Sequence, residues 1–429
     1  MSKKKDSFKP WLSRPTINKS VTLPLTSPLT QRFSGFNEVL PYEFHPNELD
    51  PFLLFDAESS MIGTFETPTL DLDPAVPSSL DVITAVRAGV ASYTDASGLI
   101  QEATANTVRV DHSLGYPAML IEPSATNLVE YSEDFSDSYW AKYSIVTFTD
   151  NYATAPNGTQ EASRFVSVGG AYPQFSKGIV GLTIGQLYTV SFYIKSDGTS
   201  QIQQVSHITG VSGANTNFTP TDEWVRKSYS FTATATSHQL VVFTNGGSAP
   251  ASSYLIWGAQ FEAGSVATSY IPTSGSAVTR IKDNLTITGS AFSDFFSTTE
   301  GTFYTEFVRA TGSDGVQRYV LGSQSNSARF CYIQSSSNTV GSYDGENFVG
   351  AGNYVAAQLS RYAISYLNSS AIDATSASLN GASEVTNYHN GNLLSVPTQL
   401  NIGRSAGNIE HLKGHIKRVI YWPNHSDSL

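Results

Sequence analysis

The chain has 429 residues, room for two or three domains of about 100–200 residues each. Hydrophobic residues (40%) and aromatics (12%) suffice for sizeable cores, and charged residues (14%) fall well under the usual share of about 25%, as in extracellular β-proteins covered by hydroxyls and amides. A net charge of −11 argues against a general nucleic-acid binder, a single cysteine excludes an intrachain disulfide framework, and no stretch approaches the roughly 18 apolar residues of a membrane span.

Residues 1–81 differ from all that follows. They hold ten of the 19 prolines. Residues 1–35 carry seven Lys/Arg against one acid, Asp6, and residues 36–81 carry ten Asp/Glu and no Lys or Arg. Pro10, Pro15, Pro24 and Pro28 rule out continuous helix, because proline lacks the amide donor and fixes φ. Extended, 35 residues reach at most roughly 115 Å. Phe8, Trp11, Leu12, Phe33 and Phe36 give this arm apolar anchors, with Arg14 and Arg32 among its cations. Phe8, Trp11, Arg14, Arg32 and Phe33 are the expected anchoring residues, and the arm is expected to order on docking. Pro51-Phe52-Leu53-Leu54-Phe55 reads equally as a buried strand or a short helix. No apolar segment follows Lys3–Lys5 as a signal peptide requires, so synthesis in a reducing cytoplasm is expected.

Residues 82–118 read as a hairpin-rich connector: Arg87 to Ile100 is strand, turn, strand, with the turn at Asp95–Gly98, and a second strand follows at Thr107–Asp111. Residues 119–280 form a first module. Tyr188, Val190, Phe192 and Ile194 alternate with Thr189, Ser191, Tyr193 and Lys195. Tyr229, Phe231 and Ala233 alternate with Ser228, Ser230 and Thr232. Leu255, Trp257, Ala259 and Phe261 make a third row. Period-two runs joined by Gly, Asn, Ser and Pro turns predict an antiparallel sandwich. Residues 281–429 predict a second, with strands at Thr302–Arg309, Arg318–Leu321, Ala328–Ile333, Tyr362–Leu367, Gln399–Ile402 and His415–Trp422. The fold class is thus all-β: an N-terminal extended arm and two jelly-roll-like sandwiches.

Three segments carry a resemblance. They are Arg87…Tyr93-Thr94-Asp95…Gly98-Leu99-Ile100…Asn106…Arg109-Val110-Asp111; Leu120-Ile121-Glu122-Pro123-Ser124-Ala125-Thr126-Asn127-Leu128…Tyr131-Ser132-Glu133-Asp134-Phe135…Trp140; and Ala267-Thr268-Ser269-Tyr270-Ile271-Pro272-Thr273…Arg280. Through them the chain resembles tail fibre or minor tail proteins of tailed bacteriophages. The resemblance implies a carbohydrate-binding-module-like jelly roll for 119–280 and a concanavalin/laminin-G-like sandwich for 281–429. The chain departs from the family at Tyr116-Pro117-Ala118-Met119, where a glycine commonly precedes the Leu-Ile-Glu segment.

Signs of catalysis are sparse. A retaining glycosidase needs two carboxyls about 5–5.5 Å apart, and Thr302–Arg309 holds one acid, Glu306. Asp344 and Glu346 fall in a Gly-rich loop that reads as solvated. His411 and His415 are i, i+4, but Gly414 and the strand after it oppose a helical metal face. Asp/Asn clusters supply the oxygen ligands Ca²⁺ takes, yet no twelve-residue loop pattern stands, and no cofactor and no enzyme activity are expected. Cys331, inside a strand-like run, reads as a buried structural thiol, and Trp140, Trp224, Trp257 and Trp422 read as core.

Sugar recognition needs outward aromatic rings beside amides. Tyr193 in its outward row, Tyr172 in the loop Gly169–Gln174 and Gln174 are the expected glycan-binding residues. The expected function is a structural virion protein, a tail fibre or fibre-like appendage docked through residues 1–81 onto other tail or capsid subunits. It is expected to be homotrimeric, to hold a host-surface glycan, and to contact neither nucleic acid nor membrane. A head-decorating protein and a glycan-active enzyme with a lectin module are the alternatives.

Overall fold

The structure is a computed structural model. It describes residues 67–429 apart from 144–145, 171–172, 199–202, 209–211, 245–249, 311–314, 326–328, 336, 344–346, 369–372, 390–395, 408–409 and 427–428. The expected anchoring residues Phe8, Trp11, Arg14, Arg32 and Phe33, the glycan candidate Tyr172 and the Asp344/Glu346 pair lie outside the described residues.

The fold is all-β, with antiparallel pairing throughout the described strands. One sandwich, here the outer lobe, sets a five-stranded sheet (Val225–Thr232, Leu187–Ser196, Ser252–Ala263, Ala162–Ser167, Val146–Ala153) against a second (Ser212–Phe218, Gln203–Ile208, Ser237–Thr244, Gln174–Val180, Ala141–Tyr143). Tyr188, Val190, Phe192 and Ile194 enter the core between them with Tyr229, Phe231 and Ala233, as the alternation predicts.

The third predicted row does not hold. Tyr254, Ile256, Ala259 and Phe261 face that core, while Trp257 packs outside it with Tyr270, Ala155 and Ala162. The cause is a bulge. Pairing with Leu187–Ser196 shifts between Ser191 and Tyr193, and Gly258 sits at φ 66°. A Cβ there would meet the Tyr270 ring at 3.1 Å and the Tyr193 ring at 3.2 Å, so only glycine fits both the backbone and the space.

The other sandwich, here the inner lobe, is built from two separated parts of the chain. Its eight-stranded sheet runs Val385–His389, Asp373–Leu379, Leu359–Asn368, Glu300–Arg309, Gly414–Trp422, Ala118–Ile121, Val110–Asp111, and Leu70–Leu72 also pairs with Gly414–Trp422. Its seven-stranded sheet runs Thr84–Val86, Asn284–Thr288, Gln399–Ile402, Arg318–Gly322, Arg329–Ile333, Thr339–Tyr343, Phe348–Asn353. Leu70, Leu72, Met119 and Ile121 share one core with Phe303, Phe307, Cys331, Ile416 and Tyr421. Strands before the outer lobe are therefore knitted to strands after it. The outer lobe is an insertion, entered and left through a two-stranded neck in which Ala125–Asn127 pairs with Val278–Arg280. The predicted hairpin forms with strands Ala91–Thr94 and Ile100–Ala103. Asp95 Oδ1 accepts from the amides of Ser97 and Leu99, and Gly98 takes φ 80°.

Candidate functional site

Register gathers the candidate site on the outer lobe. Gln174 pairs with Tyr143 on one side and Phe243 on the other; Gln204 pairs with Phe243 and with Asn217. One row, Tyr143–Gln174–Phe243–Gln204–Asn217, thus crosses all five strands. At about 4.8 Å per strand it spans about 19 Å, long enough for a short oligosaccharide. Phe175 and Phe218, the next residues along their strands, point into the core, so Gln174 and Asn217 face outward. Tyr143, 46% exposed, presents its ring at one edge, and Asn217 is exposed at the other. Ser176 and Val241, paired in register, are buried on the same face and form its floor. Gln239 Nε2 donates to Ser176 Oγ at 3.0 Å.

The edge that carries Tyr143 is held firmly. Lys142 Nζ donates to the carbonyls of Ser136 (2.9 Å), Asp137 (2.9 Å) and Trp140 (3.2 Å). Lys177 Nζ lies 3.6 Å from the centroid of Tyr139, whose phenol burial pushes up to about 12. Trp140 Nε1 donates to Tyr131 O at 3.0 Å, and its ring stacks 5.3 Å from Phe135. A ring and two amides on a rigid sheet suit a sugar: the pyranose C–H face lies on the aromatic, and hydroxyls bond the amides.

Tyr193 lies elsewhere. It is on the opposite sheet, half-buried against Trp257 and Tyr270, with the Arg226 guanidinium 5.3 Å from its centroid. The structure does not join it to Gln174. Its outward neighbours Thr189 and Ser191 are buried as well. Thr189 Oγ1 donates to Gly264 O at 2.8 Å, and Arg226 donates to Thr268 O at 2.6 Å and Ser191 Oγ at 3.0 Å, so residues 264–268 roof that face. Of the four tryptophans read as core, Trp140, Trp257 and Trp422 are buried, while Trp224 is half-buried, its Nε1 donating to Thr154 O at 3.1 Å. Tyr143 escaped the sequence reading because a three-residue edge strand shows no measurable alternation.

The residues that carry the family resemblance converge at the neck. Arg109 donates through Nη2 to Glu122 at 2.9 Å and to Asp283, and through Nη1 to Ser92 O at 2.8 Å and Ser269 Oγ at 2.9 Å. Arg87 reaches Asp283 at 2.9 Å and Thr104 O at 2.7 Å. Arg280 reaches Pro123 O at 2.9 Å and lies 3.4 Å from Glu122. All five charged groups are buried. Burial alone would raise the Glu122 carboxyl, but Arg280 and Arg109 hold it well below the usual carboxylate range. Asn127 is fully paired: it donates to Ala259 O and Ile271 O and accepts from the amides of Val129 and Phe261. Asp111 accepts from the Thr94 amide at 2.7 Å and the Ser113 amide at 2.9 Å and meets His415 Nε2 at 3.0 Å.

Glu306, the acid in the middle of the strand Glu300–Arg309, is also committed. It lies 2.7 Å from Lys417 Nζ and 3.1 Å from Arg361 Nε and accepts from Tyr304 at 2.8 Å. Cys331 is buried in a strand, and burial pushes its thiol well up. Among the described residues no group of three His, Cys, Asp or Glu is placed to hold a metal ion.

No family model matches the sequence, and neither does any curated protein. Similar solved structures include three that bear on the sandwiches. The tandem CBM22-1–CBM22-2 domains of Paenibacillus barcinonensis Xyn10C are 9% identical over 70% of this chain and 99% of that one, with a TM-score of 0.27. Domains LG4-5 of the mouse laminin alpha1 chain are 9% identical over 68% of this chain and 94% of that one, with a TM-score of 0.22. The enzymatically active domain of bacteriophage CBA120 tailspike protein 4 is 14% identical over 32% of this chain and 21% of that one, with a TM-score of 0.25. Scores this low leave function to be read from the chain's own residues.

Proposed function

We propose that the chain is a structural virion protein of a tailed bacteriophage, a tail fibre or fibre-like appendage. It is made in the bacterial cytoplasm, docked onto other virion subunits through the part of the N-terminal arm that precedes Pro68, since Leu70–Leu72 belong to the inner lobe, and assembled as a homotrimer. Its outer lobe holds a host-surface glycan. The observation that carries the glycan reading is the row that sets exposed Tyr143 next to Gln174, with Asn217 at its far edge, on one face. The protein holds sugar rather than cutting it: Glu306 is locked between Lys417 and Arg361, which favour its ionised form, and the other acid on its strand, Glu300, lies six residues away at the strand's start, too far for a carboxyl pair. The phage placement rests on the three motif segments and on the Pro-spaced basic arm.

Cell adsorption tests the glycan reading. Replacing Tyr143 with Ala should weaken binding to host cells by about 2 kcal/mol, roughly 30-fold. Unchanged adsorption removes the face as the site. Deleting residues 1–35 should leave both lobes folded and abolish incorporation into particles. Particles that still contain the shortened chain defeat the anchoring reading.

A further inference from the structure

A groove lies beside the neck, against the outer-lobe sheet opposite the one that carries Tyr143. It encloses about 1080 Å³ and is bounded by the hairpin, the roofed sheet and the edge of the inner lobe. That volume lies just above the range of roughly 300–1,000 Å³ usual for small-ligand sites, room for a few sugar units. Two rings line it, Trp224 and Tyr193. Trp224 is fixed by its bond to Thr154 O, and Tyr193 by packing on Trp257 and Tyr270.

The lining carries charges of both signs. Lys195, Arg226, Arg318 and Lys413 all border the groove, in a protein whose net charge is −11. Three carboxylates border it as well. Asp111 is engaged by His415 and two amides, and Glu122 by Arg109 and Arg280. Only Glu223 carries no ion pair among the described residues. Lys195 likewise has no carboxylate or carbonyl partner among them. Arg226 donates to a carbonyl and a hydroxyl, and its charge also acts on the buried Glu262 carboxylate. Flat rings beside the Lys195 ammonium select a ligand with an apolar face and a negative group.

We propose that the neck groove binds an acidic saccharide, one bearing a carboxylate, with its ring on Trp224 and its carboxylate at Lys195 and Arg226. The site draws on the connector and both lobes, so its shape depends on the neck holding them together. The proposal stands whether or not the Tyr143 face holds a glycan.

Titration calorimetry with full-length protein tests it, using tri-galacturonate and α-2,8-linked tri-sialate as acidic probes and maltotriose as the neutral control. At least one acidic trisaccharide should bind and maltotriose should not, and the affinity should fall as salt is raised. Trp224→Ala should abolish the signal. Lys195→Glu, at a half-exposed position that leaves the fold intact, should weaken it at least 10-fold. The proposal is overturned if neither acidic probe binds, if maltotriose binds equally well, or if Lys195→Glu binds as the parent does. Loss of the signal in Tyr143→Ala would place the ligand on the other sheet and overturn it too.

Discussion

The neck between the lobes and the Tyr143 face of the outer lobe are written in the sequence in opposite ways. At the neck, Arg87, Arg109, Glu122, Arg280 and Asp283 are buried and form ion pairs with one another. Each has several partners far away in sequence, so few other residue types would serve. On the face, Tyr143, Gln174 and Asn217 meet only because five strands align in register. Nothing in their own neighbourhoods requires them. The segments easiest to recognise in this chain are therefore those that hold the lobes together, and the residues that face a ligand carry no motif.

The largest effect expected from this contrast is at Arg109. Its guanidinium bonds two carboxylates, a carbonyl and a hydroxyl, all within a buried cluster. Arg109→Ala leaves Glu122 and Asp283 buried with too little positive charge. It should lower stability by about 3–5 kcal/mol in denaturant unfolding. A loss under about 1 kcal/mol would mean that the cluster is not the latch between the lobes.

Legibility divides along the same line. The inward row Tyr188, Val190, Phe192, Ile194 was readable because one sheet face and one core decide it. The burial of Thr189 and Ser191 was not, because residues 264–268, more than 60 positions on, form the roof. Trp257 left its predicted row through a bulge at Gly258, which a period-two pattern cannot encode. Of the candidate site, Gln174 was found through its loop, Tyr143 was missed on its short strand, and Tyr193 belongs to the opposite sheet. The weaving of Leu70–Leu72 and Thr84–Val86 into sheets completed by residues 284–422 depends on pairing across an intervening lobe, and local patterns carry no trace of it.

A smaller effect separates the hairpin's own contribution from that of the ionic cluster. Burial alone would raise the Asp111 carboxyl, but His415, Ser113 and the Thr94 amide outweigh it and bring the pKa down to about 2. A depressed folded pKa means stability that is complete above the unfolded value near 4 and lost as pH falls toward 2. The expected contribution is about 2 kcal/mol. The melting temperature should therefore drop steeply between about pH 4 and pH 2, and Asp111→Asn should flatten that slope while lowering the neutral-pH value. An unchanged slope in the variant would assign the acid sensitivity to Glu122 instead.

The smallest stability effect belongs to the face, and it sharpens the comparison most. Gln174 is half-buried, and no described side chain or backbone group pairs with its amide. Gln174→Ala should change stability by no more than about 0.5 kcal/mol, because no buried partner is left behind. Glycan binding by the same variant should fall about 5-fold, the worth of one hydrogen bond of about 1 kcal/mol. Asn127, an amide of the same chemistry with four partners at the neck, should behave in reverse, losing stability first. If Gln174→Ala destabilises the outer lobe as Asn127→Ala does, the row is part of the scaffold, and the division between residues that hold the protein together and residues that hold a ligand fails on this face.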